Sequence, residues 1–126
     1  LNSAVMIKDN HIEAYGGIEY IMDFLLRQNI PYSMKQKFEI EVKSIKELDT
    51  VVKYGKGIVD IVMLDNFKPN INDKSIKILK NNGFKIELSG GINMRNFVKY
   101  QRKGVDFYSI GALTHSYRSC DFSLEF

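Results

Sequence analysis

The 126-residue chain has one cysteine, two histidines and no apolar stretch near the roughly 18 residues of a membrane span, and each shortage removes a class of explanation. Cys120 alone cannot close an internal disulfide or supply the several thiolates of a structural zinc site, which suits a reducing, cytoplasmic setting. His11 and His115 lack metal-ligand spacing, so a zinc centre is not expected either. Leu1-Asn2-Ser3 has no basic-then-apolar signal pattern, so neither export nor a membrane partner is expected. No Walker loop and no serine-histidine-acid triad is legible. The net charge of +3 comes from lysines scattered over helices, not from one basic block, and nucleic acid is not implied. The length is about half of the ~250 residues of a complete (β/α) barrel. With no initiator methionine and an opening directly into a strand, the natural domain is expected to begin upstream of Leu1.

What is present is a regular alternation of strands and helices. Ala4-Val5-Met6-Ile7 is an apolar run stopped by the polar turn Lys8-Asp9-Asn10-His11. From Gly17 to Asn29, Ile18, Ile21, Met22, Leu25 and Leu26 recur at the spacing of one helix face. Lys37 to Val42 reads as a strand. Ser44 with Glu47 three residues on is a capping box, opening a helix with Ile45, Leu48, Val51 and Val52 inward until Gly55 and Gly57 stop it. Val59 to Leu64 is nearly continuous in apolar residues, as a parallel strand covered on both faces is. Asn72 or Asp73 is expected to cap a helix reaching Gly83. Phe84 to Leu88 is a strand, and Asn93 or Met94 opens a helix with Met94, Phe97 and Val98 inward that ends at Gly104. Asp106 to Ile110 closes the series, and the tail from Asp121 to Phe126 is too short to assign. The pattern predicts an α/β fold, with five parallel strands joined by right-handed helical crossovers.

In such a sheet, Lys8, Glu41, Asp65, Ser89 and Gly111 all fall at the C-terminal ends of strands and converge on one face, where α/β active sites lie. Leu88-Ser89-Gly90-Gly91-Ile92 and Gly111-Ala112-Leu113-Thr114-His115-Ser116 are consecutive strand-to-glycine turns. Without a Cβ, such turns let backbone N–H groups approach a phosphate closely, although they also simply close tight connections. Glu39 and Glu41 share one face of a strand otherwise built for burial, and a buried carboxylate needs a partner. Asp65 with Asn66 reads either as an Asx turn or as a second acid able to share Mg²⁺ with Glu41. His11 and His115 sit in strand-exit loops where an imidazole could meet a phosphate. Asp106 and Glu87 read as structural partners of lysines.

Val5-Met6-Ile7-Lys8-Asp9-Asn10-His11-Ile12, Glu39-Ile40-Glu41-Val42, Ile61-Val62-Met63-Leu64-Asp65-Asn66, Leu88 to Ile92 and Gly104 to Ser116, taken in this order, resemble the C-terminal half of the quinolinate phosphoribosyltransferase family. The resemblance covers nearly the whole chain and is carried by the combination of segments. It implies that residues 1–126 are the C-terminal part of a (β/α)-barrel catalytic domain, with the N-terminal domain and first barrel strands absent.

It further implies transfer of phosphoribose from phosphoribosyl pyrophosphate to quinolinate with Mg²⁺, giving nicotinate mononucleotide, pyrophosphate and carbon dioxide. Decarboxylation needs no further cofactor, because the quaternised pyridinium nitrogen accepts the electron pair. On this likeness Lys8 meets a quinolinate carboxylate, Glu41 and Asp65 flank the ribose and its metal, and Ser89, Gly90, Gly91, Gly111 and His115 bind phosphate. A homodimer or larger assembly is implied for the full-length protein. The family's pocket arginines and His-Arg pair lie in the absent strands, and Arg27, Arg95, Arg102 and Arg118 do not replace them. The 126 residues alone are therefore expected to be inactive. The segment from Asn29 to Gln36 is longer than usual in the family, which leaves Glu39 open as the functional acid in place of Glu41. A related barrel for another acidic ring, or a phosphate-binding domain without turnover, are the alternative readings.

Overall fold

The computed structural model describes residues 4–28, 37–67, 69–111 and 122–125. Five strands alternate with helices in the order β1 (Val5–Ile7), α1 (Asp9–Ala14), α2 (Ile18–Leu26), β2 (Phe38–Val42), α3 (Ile45–Tyr54), β3 (Ile61–Asp65), α4 (Pro69–Asn81), β4 (Lys85–Ser89), α5 (Phe97–Tyr100) and β5 (Phe107–Ile110). Neighbours in sequence are neighbours in space, and β1 to β5 are all parallel. The tail, left unassigned in the sequence, adds β6 (Phe122–Glu125) antiparallel to β5. Among the described residues no helix is long and apolar enough to cross a membrane.

Strand pleating sorts the side chains into two faces. Ile7, Ile40, Val42, Val62, Leu64, Ile86, Leu88, Tyr108 and Ile110 face the helices and are buried with Ile18, Ile21, Met22, Leu48, Val51, Ile76 and Leu79. Each such aliphatic side chain contributes roughly 1.5–3 kcal/mol of burial. All these helices lie on one side, with α3 beside both α2 and α4. A sequentially ordered sheet with its helices in one layer is a section of a barrel wall, since a doubly wound sheet carries helices on both faces. The opposite face carries Met6, Glu39, Glu41, Ile61, Met63, Asp65, Glu87, Ser89 and Phe107, and becomes polar toward the strand ends.

At the start of the strands, aspartates tie neighbours together. Asp60 Oδ2 accepts the Phe38 N–H at 3.0 Å, and Asp106 Oδ2 accepts the Ile86 N–H and the Lys80 ammonium, each at 2.9 Å. The structural role expected for Asp106 is thus present. Glu87, expected beside a lysine, is buried and hydrogen-bonded with Glu39.

Several element boundaries move for identifiable reasons. The turn expected at Lys8 to His11 is the first turn of α1, because His11 Nδ1 reaches back to accept the Lys8 N–H at 3.1 Å. Helix α4 starts at Pro69, ahead of Asn72 and Asp73: proline's fixed φ suits the first helical position, where no N–H is needed. The helix expected from Asn93 shrinks to α5, leaving Met94 and Val98 57% and 75% exposed. Its first residues are held in a turn instead, Asn93 Oδ1 accepting from Arg95 and Asn96 and Asn96 Nδ2 donating to the Gly91 carbonyl. Leu26, expected inward, is 65% exposed where α2 ends. Ser44 Oγ accepts the Glu47 N–H as the sequence predicts, but Glu47 returns to the N–H of Lys43, one residue before the cap.

Candidate active site at the C-terminal strand ends

Because all five strands run in one direction, the exits of β1 to β5 open on one edge of the sheet. The register there is informative. Met63 lies opposite both Glu41 and Glu87, and Val42 opposite Leu64 places Lys43 beside Asp65, itself paired with Ser89. The uppermost row of the polar face is therefore Lys43, Asp65 and Ser89, with Glu41 and Glu87 one step below.

The acids form a cluster closed by that lysine. Lys43 Nζ is 2.8 Å from Asp9 Oδ2, 3.9 Å from Glu41 Oε1 and 4.0 Å from Asp65 Oδ2. Glu41 and Asp65 keep only 18% and 17% of their side-chain exposure, so their charges are partly withdrawn from water. Burial and then the negative charge of Asp65 raise the Glu41 pKa, opposed by Lys43 and Lys8. The Asp9 hydrogen bond and charge raise that of Lys43. Lys8, exposed at the end of β1, is close enough to act on Glu41 electrostatically.

Glu39 occupies a different environment. It is 8% exposed, and its Oε2 is buried without a hydrogen-bond partner. Burial first, then Glu87 and Glu41, push its carboxyl up to about 9 from the usual 4.5. The two acids that the sequence places on one face are thereby separated, with Glu41 at the mouth and Glu39 below it.

The glycine turns are linked to each other and to the acids. Ser89 ends β4, its carbonyl accepting the N–H of Asn66, which follows Asp65 with φ at 58°. Gly90 has φ of 98° and sits against the Asn66 side chain, while Gly91, at φ of 69°, has open space where a Cβ would stand. The Gly111 N–H donates to the Ile92 carbonyl at 3.1 Å, joining the two turns. That amide shapes the turn and is already engaged. His115 lies outside the described residues. His11, a candidate for phosphate, has its Nδ1 engaged with the Lys8 backbone.

Sequence reasoning brought Lys8, Glu41, Asp65, Ser89, Gly90, Gly91 and Gly111 to this edge and missed Lys43, Asp9 and Asn66. The signal for Lys43 was available, since it continues the alternation Glu39, Glu41, Lys43 just past the strand end. Among the described residues no group of three His, Cys, Asp or Glu is placed to hold a metal ion by itself.

Comparison with known proteins places this arrangement in a family. The family described as "Quinolinate phosphoribosyl transferase, C-terminal domain" matches residues 1–125. A probable carboxylating nicotinate-nucleotide pyrophosphorylase of Methanocaldococcus jannaschii is 40% identical over 131 residues, covering 99% of this chain and 44% of the relative. The human carboxylating nicotinate-nucleotide pyrophosphorylase is 35% identical over 127 residues, covering 99% of this chain and 41% of its own. The solved nicotinate-nucleotide pyrophosphorylase of Ehrlichia chaffeensis superimposes with a TM-score of 0.73 at 31% identity, covering 96% of this chain and 41% of that one. The chain spans less than half the length of these relatives.

Proposed function

The chain belongs to the quinolinate phosphoribosyl transferase family, as its C-terminal domain, and on that premise we propose that it supplies the phosphoribose-binding half of the active site. The proposed reaction is transfer from phosphoribosyl pyrophosphate to quinolinate with decarboxylation, giving nicotinate mononucleotide, pyrophosphate and carbon dioxide. The observation that carries this reading is the pair Glu41 and Asp65, partly buried on neighbouring strand ends, with the Ser89 turn beside Asp65 in the same row.

Positive charge grows at the anomeric carbon as pyrophosphate leaves, and two fixed carboxylates in a partly dry site stabilise it without reorganising. Lys8 is the proposed contact for a quinolinate carboxylate. Its backbone is held by His11, so the lysine projects from a fixed point. Ser89 and the open side of Gly91 form the proposed phosphate turn, with Gly90 and Gly111 setting its shape and His115 an additional proposed contact. Two oxygen donors suit Mg²⁺, which binds through one or two carboxylates plus substrate phosphates and waters. Glu41 and Asp65 would hold it, and the ion would offset the charge of the departing pyrophosphate. The family resemblance is the support for a homodimeric or larger full-length protein in the cytoplasm.

The test is an acceptor comparison on the full-length protein. Supplied with phosphoribosyl pyrophosphate and Mg²⁺, it is expected to form nicotinate mononucleotide and carbon dioxide from quinolinate, and no product from nicotinate. Turnover of nicotinate alone, or of neither, would overturn this reading.

A further inference from the structure

Among the described residues, Lys43 is the one cation paired with both proposed metal-facing acids, and neither strand pairing nor core packing requires it there. It follows the last residue of β2, its side chain is half exposed, and its stem could extend into solvent. Instead Nζ lies within 4.0 Å of carboxylates from three separate segments, Asp9 of α1, Glu41 of β2 and Asp65 of β3. The register independently sets it beside Asp65 in the row that reaches Ser89.

We propose that Lys43 is a positioning residue, the built-in counter-cation of this site, which holds Glu41 and Asp65 ready and yields its place when a divalent cation arrives. This rests on the reading that those two acids face the metal. The physical reason is mutual repulsion. Two carboxylates this close disfavour each other's charged form, and an ammonium between them lowers that cost. A divalent ion drawn to the same oxygens must then displace the ammonium or endure its repulsion. Asp9, the nearest partner at 2.8 Å, supplies the resting place to which the ammonium retreats. Lys43 thus trades metal affinity for order in the unliganded site.

The experiment is a titration of the full-length protein with Mn²⁺ alone, read by the electron paramagnetic resonance of the free aquo ion. Lys43→Met keeps the stem and removes the charge, and it is expected to bind Mn²⁺ about tenfold more tightly than wild type. Lys43→Arg is expected to restore wild-type affinity. Asp9→Asn, which frees the ammonium to stay on Glu41 and Asp65, is expected to weaken binding. In turnover, Lys43→Met should need less Mg²⁺ for half-maximal rate. Affinity that is unchanged or weaker in Lys43→Met, or Mn²⁺ binding by neither protein, would overturn the inference. The acceptor comparison above separates the two readings. Quinolinate turnover with no Mn²⁺ shift removes Lys43 alone, whereas a shift without turnover leaves Lys43 standing and removes the assigned reaction.

Discussion

Gly90 is glycine because of Asn66. A Cβ on Gly90 would stand 2.6 Å from the Asn66 backbone nitrogen and 2.8 Å from its Cγ, closer than real side chains approach, and the φ of 98° is itself hostile to any L-residue. The sequence suggested that this glycine leaves room for phosphate oxygens. The structure gives the room to the turn that follows Asp65 instead.

Gly90→Ala in the full-length protein is therefore expected to lower the melting temperature and to weaken phosphoribosyl pyrophosphate binding together, because Asn66 and with it Asp65 must move. Gly91→Ala meets no atom within 4 Å and should cost only the left-handed backbone penalty, about 1–2 kcal/mol. Calorimetric binding and thermal melts on both variants check this. Equal stability losses would show that Asn66 is not what Gly90 accommodates.

The buried Glu39 makes stability fall as pH rises. Its carboxyl keeps its proton up to about 9 in the folded protein, against the usual 4.5 for an unfolded glutamate. Between those values the native state binds more protons than the unfolded one, so the contribution is fully present below 4.5 and is lost as pH climbs toward 9. The slope from this one group is at most about 1.4 kcal/mol per pH unit. Melting curves of the full-length protein from pH 5 to about 8.5 should show the decline, and Glu39→Gln should flatten it. A profile unchanged by Glu39→Gln would contradict the assignment.

At the opposite end of the strands, Asp106→Ala should cost stability and spare catalysis. It removes the acceptor of both the Ile86 N–H and the Lys80 ammonium, leaving a strand amide unpaired, for about 1–3 kcal/mol. Turnover per folded molecule should match wild type. A large kcat loss with normal stability would place this end of the sheet in the chemistry.

Much of this was legible because it depends on short-range periodicity. Ser44 capping α3, the buried stripe of Leu48 and Val51, and the placing of Glu41 and Asp65 on one edge all follow from periods of 3.6 and 2 and from one strand direction. The late start of the helix expected from Asn93 or Met94 was hidden because asparagine side chains compete for backbone groups in ways that helical spacing does not reveal. The Gly90–Asn66 contact and the three-way grip of Lys43 join residues distant in sequence, so only the assembled sheet shows them. The distinction between Glu39 and Glu41 is likewise a matter of depth along one strand face.

That distinction also offers the most direct measurement on the central claim, that the acids at the strand ends serve the transfer of phosphoribose. Steady-state formation of nicotinate mononucleotide from quinolinate and phosphoribosyl pyrophosphate should be compared for full-length wild type, Glu41→Gln and Glu39→Gln. Loss of the Glu41 charge is expected to cost on the order of a hundredfold or more in kcat with little change in melting temperature. Glu39→Gln, which replaces an already protonated acid by its neutral isostere, should stay within a few-fold of wild type. Near-normal kinetics for Glu41→Gln, with the large loss falling on Glu39→Gln instead, would contradict the account.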